Sequence, residues 1–211
     1  FSFILSSLFV LFLPQTLQPN NSYVGGFYLT IWEYYNARDT LIGELQNLLG
    51  MPWTYVTYCH FDMSPSVSSD GEQLKQKQEK AKKDPKYKNA KAKCAIVADH
   101  IAMANGINMS PDGSLLYVSG VLDQAIHVYH VVEHPLSASN LSTHLLKIDS
   151  VATGTLCDNI DVERNTGDIY CGAHPNALAF LAHQTHPLLH PTPSQVLPSP
   201  PLPHNKHKKE N

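Results

Sequence analysis

Short β-favouring runs, each closed by a turn signal, constrain this chain more than any other feature. They stand at Leu115–Ser119, Ala125–Val132, His144–Ile148, Asn159–Val162, Asp168–Gly172 and Leu178–Ala182. The turns SPDG (110–113), EHPLSASN (133–140) and ERNTGD (163–168) bound them. In SPDG, Pro111 presets φ at about −65° and Gly113 tolerates a positive φ. Leu115, Leu116, Tyr117 and Val118 then supply the apolar, β-favouring residues of a buried strand. Short antiparallel strands in this rhythm build a sandwich, a barrel or a propeller.

A second structured stretch lies upstream. Tyr23 to Trp32 and Trp53 to Tyr58 have strand composition. Between them Leu41, Ile42, Leu45, Leu48 and Leu49 recur at helical spacing, so a short helix is expected over Asp39–Leu49, ended by Gly50 and Pro52. The organisation expected is an apolar leader or non-native segment (1–20), a structured segment (21–62), a Lys-rich inserted loop (63–93), a second structured segment (94–183) and a disordered Pro- and His-rich tail (184–211). The leader's apolar run, Phe1 to Leu13, is shorter than the roughly 20 residues of a spanning helix. It matches the apolar core of a secretory signal without the basic flank. A buried strand or translated non-coding sequence has the same composition.

The inserted loop holds nine lysines between Lys75 and Lys93, but its Glu and Gln content reads as a solvated helix or disorder. No aromatic series accompanies the charge, and the net charge of −3 gives no reason to expect a nucleic-acid partner. No Gly-x-Ser-x-Gly elbow occurs, so serine-hydrolase chemistry of that type is not expected. Cys59, Cys94, Cys157 and Cys171 have no Cys-x-x-Cys spacing. Buried free thiols are the simpler expectation for them, and pairing is the alternative in a secreted protein.

Two units resemble each other: NMSPDGSLLYVSG and DVERNTGDIYCGA, each a polar turn with Gly followed by a strand ending in small residues. Self-similarity of this kind favours a propeller over a sandwich. Corresponding positions in successive blades would bring Asn105 and the Asp158–Asn159 pair to one rim. Carboxylate and amide oxygens suit a hard cation such as calcium. The local alternative is that these residues cap turns by bonding their own backbone.

The residues also carry a resemblance. ANGINMSPDGSLLYVSGVLDQAIHVYHV, NLSTHLLKI and LCDNIDVERNTGDIYCGAHPNA, with GGFYLTIWEYY and LLGMPWTYVTY upstream, resemble the serum paraoxonase/arylesterase family. That resemblance implies an all-β, six-bladed propeller, of which roughly 130 structured residues would make about three blades at ~40–45 residues each. It implies a calcium cofactor held by Asn105, Asp158 and Asn159, with His174 in the catalytic cavity. Gly106 would let the backbone crowd the central channel. It further implies hydrolysis of small aryl esters or lactones, secretion, glycosylation at Asn140, and lipoprotein or membrane-surface association. Ile31 and Trp32 depart from the family, standing where it has an Asn ligand and an Asp ligand. A catalytically inactive remnant that only binds is the alternative.

Overall fold

The computed structural model describes residues 9–12, 16–17, 23–32, 45, 48–63, 93–132 and 145–199. They form three antiparallel sheets. The first contains β1 (Phe9–Phe12), β2 (Thr16–Leu17), β3 (Tyr23–Ile31), β4 (Thr54–Met63) and β5 (Lys93–Ile101). Its order is β1-β3-β4-β5, with β2 also pairing with β3. The second is a meander of β6 (Ala104–Met109), β7 (Leu115–Gly120), β8 (Ala125–Val131) and β9 (Leu145–Ala152). The third is β10 (Leu156–Val162), β11 (Ile169–His174) and β12 (Gln195–Ser199), with helix α1 (Ala177–Thr185) between β11 and β12.

Strands β7 and β8 of the middle sheet are buried on both faces, which explains the near-continuous apolar run LLYVSG of β7. Leu116 and Val118, with Tyr129 and Val131 of β8, pack against Tyr28, Val56 and Tyr58 of the first sheet. The alternate residues Leu115, Tyr117, Ile126 and Val128 pack against Ile160, Ile169 and Ala173 of the third. Each such side chain, fully buried, contributes about 1.5–3 kcal/mol. The SPDG turn closes as its composition requires: Gly113 N–H donates to Ser110 O at 2.9 Å, and Gly113 has φ +72°.

The strands expected from Leu115 to Gly172 all form, within a few residues of their expected ends. Leu178–Ala182 does not: it belongs to α1. An apolar run has no period that separates a buried strand from a helix. The Asn176 side chain decides it by accepting from Ala179 N–H at 3.0 Å, capping a run of Ala and Leu. The 195–199 stretch, expected to be disordered tail, forms β12. It covers the open edge of β11, where Pro198 lies opposite Tyr170, an edge position in which a missing N–H is tolerated. Only the end of the helix expected over 39–49 lies among the described residues, where Leu49 N–H donates to Leu45 O at 2.9 Å.

The cysteines are paired, correcting the free-thiol expectation. Cys59–Cys94 joins directly opposed residues of β4 and β5, and Cys157–Cys171 joins β10 to β11. Their sequence separations, 35 and 14, concealed an adjacency that only strand pairing creates. Most of the Lys-rich segment lies outside the described residues, between the paired ends of β4 and β5.

Candidate functional site

Two irregularities in strand pairing build the site. Between Ala104 and Ile107, β6 carries one residue more than its partner β7, at Asn105 and Gly106. Between Cys157 and Asn159, β10 does the same against β11, and Asp158 is the unpaired residue. Neighbouring side chains in a regular strand point to opposite faces, and a bulge re-aims them. Gly106 lets the two bulges meet. A Cβ there would stand 2.5 Å from Asp158 O, 2.7 Å from Ile160 N and 2.9 Å from Asn159 Cα.

Hydroxyls fasten the three sheets at this point. Ser119 Oγ donates to Asp158 O at 2.7 Å, and Thr30 Oγ1 of the first sheet donates to Asn105 O at 2.6 Å. Thr54 Oγ1 donates to Ile101 O at 2.7 Å and accepts from Ala104 N–H at 2.8 Å. All of these bonds hold main-chain groups, so the Asn105 and Asp158 side chains remain available to the site.

Asn105 is 4% exposed, and its Oδ1 is buried without a hydrogen-bond partner. An orphaned buried acceptor carries a desolvation cost of about 1–3 kcal/mol. Asp158 lies beside it. Burial raises the Asp158 pKa, against the opposing effects of His174 and of hydrogen bonding to Asn105. His174, at the end of β11, places Nε2 3.7 Å from Asp158 Oδ2 and stacks on Phe180 of α1 with ring centroids 4.6 Å apart. Its Nδ1 is buried without a partner, while its carbonyl accepts from Thr155 Oγ1 at 2.9 Å.

The structure therefore brings Asn105, Asp158 and His174 together. Asn159 follows in the same bulge, exposed, with its Cα backing onto Gly106. Asn140 lies outside the described residues. No group of three or more His, Cys, Asp and Glu side chains placed to hold a metal ion occurs among the described residues. The donors are instead one carboxylate and neutral amide oxygens, a set that suits a hard, oxygen-seeking cation rather than a transition metal. An unpaired, buried amide oxygen on a side chain bonded to a carboxylate whose pKa burial raises fits that chemistry.

Comparison with known sequences identifies the family. The sequence profile of the arylesterase family matches residues 87–207, which include Asn105, Asp158, Asn159 and His174. The chain belongs to the arylesterase family. Serum paraoxonase/arylesterase 1 of Homo sapiens is 29% identical over 178 residues, covering 84% of this chain and 35% of the relative. Serum paraoxonase/arylesterase 2 of Rattus norvegicus is 35% identical over 102 residues, covering 48% of this chain and 26% of the relative. The chain thus spans about a third of the human relative's length. Among solved structures, a functionally unknown protein from Desulfotomaculum acetoxidans DSM 771 aligns at 10% identity and a TM-score of 0.33, over 77% of this chain and 51% of that one.

The site uses residues that the sequence did not single out. Thr30, Ser119 and Phe180 work through contacts across sheets, and no local pattern marks them. Trp32 packs against the cluster of Met103, Val121, Leu156 and Phe180, the same Phe180 that carries the His174 ring.

Proposed function

We propose that this chain carries the calcium-binding side of a hydrolase of aryl esters or lactones. The observation that carries the reading is the orphaned, buried Asn105 Oδ1 on a side chain that hydrogen-bonds the half-buried Asp158 carboxylate. Asn105 and Asp158, with Asn159 beside them, would hold the ion. When bound, calcium supplies a positive charge that polarises the substrate carbonyl or phosphoryl oxygen. His174 lines the cavity, its ring orientation set by Phe180 and its main chain by Thr155. In the fold this corresponds to about three blades of a six-bladed propeller. Support comes from sheets stacked face to face, with first strands β6 and β10 meeting at their bulges.

The test is a melting titration from micromolar to millimolar calcium, which should raise the melting temperature because only the folded state binds. Asp158→Ala should abolish the rise. This chain alone should give at most trace phenyl acetate hydrolysis, lost on chelation. A melting curve indifferent to calcium, or robust chelator-resistant turnover, would overturn the reading.

One observation favours the non-catalytic alternative. Ile31 offers no side-chain oxygen, and the Trp32 indole fills an apolar cluster where the family resemblance calls for an acidic ligand. On that reading calcium binds and no ester turns over.

We further propose that the full-length protein is secreted and carries sugar on Asn140. Two disulfides support an oxidising compartment. Expression in secretory cells followed by glycosidase treatment should increase gel mobility, and Asn140→Gln should remove the change. No described helix is long and apolar enough to cross a membrane.

A further inference from the structure

Apart from the cation site, the middle sheet holds a second constellation. His127 of β8 lies directly opposite Ser150 of edge strand β9, so the two side chains share a face of the sheet. His127 Nδ1 is 3.0 Å from Ser150 Oγ, and Nε2 is 2.8 Å from Asp123 Oδ2. The His127 side chain is 6% exposed and that of Asp123 26%, whereas Ser150 is exposed. Asp123 is held in place by a second bond, accepting from Ala102 N–H at 2.9 Å. Gly120 leaves room for the pair: a Cβ there would collide with Asp123 Oδ2 and lie 2.8 Å from His127 Nε2.

The hydrogens can be assigned from chemistry. Burial alone would raise the Asp123 pKa, but the bonds from His127 and Ala102 outweigh it and hold it below the ordinary value, so Asp123 is ionised at neutral pH. An ionised carboxylate only accepts, which places the proton of neutral His127 on Nε2. Nδ1 is then left as an acceptor for the Ser150 hydroxyl. A nucleophile hydrogen-bonded to a base, with the base oriented by a third group, is the arrangement that activates serine. Such triads are identified by geometry rather than by a sequence motif.

We propose that Ser150, His127 and Asp123 form a second, metal-independent nucleophilic site that takes activated phosphoryl and acyl esters. In the trapping step the Ser150 oxygen bonds to phosphorus or acyl carbon, and its proton passes to His127 Nδ1. The bond to the leaving group breaks, releasing fluoride from a fluorophosphonate or a phenol, protonated from His127, from an aryl ester. A covalent Ser150 adduct remains.

The experiment is labelling of the whole chain with a fluorophosphonate probe in excess chelator, which silences the cation site, followed by peptide mass spectrometry. Ser150 should label at least about 10²-fold faster than half-buried Ser114 in the same molecule, the lower end of what a positioned base provides. His127→Gln and Asp123→Asn should bring Ser150 down to the Ser114 rate. Equal rates at Ser150 and Ser114 in the unaltered chain would overturn the proposal whether or not the variants fold. So would undiminished labelling of Ser150 in a folded His127→Gln protein.

Discussion

Gly106 and Asp158 meet backbone to backbone, with only 2.5 Å between the position a Gly106 Cβ would take and the Asp158 carbonyl oxygen. This contact brings the bulge of β6 against the bulge of β10 and so sets the separation of Asn105 from Asp158. Gly106→Ala must push the second and third sheets apart. Overpacking of this kind costs about 1–3 kcal/mol. Urea denaturation should show that loss, and the calcium-induced rise in melting temperature should vanish with it.

Thr54 bridges two main-chain groups, Ile101 O and Ala104 N–H, where the chain passes from the first sheet into the second. Thr54→Val keeps the shape and removes both bonds. Leaving a buried N–H unsatisfied costs about 1–3 kcal/mol. The denaturation midpoint should fall accordingly with an unchanged m-value.

Asp158 supplies a pH test. Its folded pKa is raised above the ordinary 3.8 by burial. Without calcium, its ionised form therefore costs stability, fully once the pH exceeds the raised value and not at all below the ordinary one. Asp158→Asn should melt above the unaltered chain near pH 7 and level with it near pH 3. Saturating calcium should reverse the order at neutral pH. Equal melting temperatures across the whole range would show that the carboxyl is solvated.

Cys157–Cys171 closes a short loop within the third sheet, between residues 14 apart in sequence. Closing a loop of this size contributes about 3 kcal/mol on the chain-entropy account. Replacing both cysteines with alanine should lower unfolding free energy by about 2–4 kcal/mol, measured by guanidinium denaturation under non-reducing conditions. Because Asp158 follows Cys157 directly, calcium affinity should weaken in the same variant.

What the sequence determined by itself was local. Turn chemistry at SPDG, alternation in the strands and the Asn-Gly and Asp-Asn pairs are set by residues a few positions apart, and they sufficed for the all-β class and for Asn105, Asp158 and Asn159 as candidates, whereas His174 came from the family resemblance alone. Only the tertiary structure decided the rest. Asn176 made a helix of an apolar run that suited a strand equally well, and the open edge of β11 drew a Pro-rich stretch into the third sheet. Strand pairing made disulfides of four cysteines that no spacing rule joined. The Thr30–Asn105 bond spans 75 residues and the Ser119–Asp158 bond 39. Such contacts depend on which strands pair and in what register, and a bulge of one residue re-aims a side chain without leaving any periodic trace in the sequence.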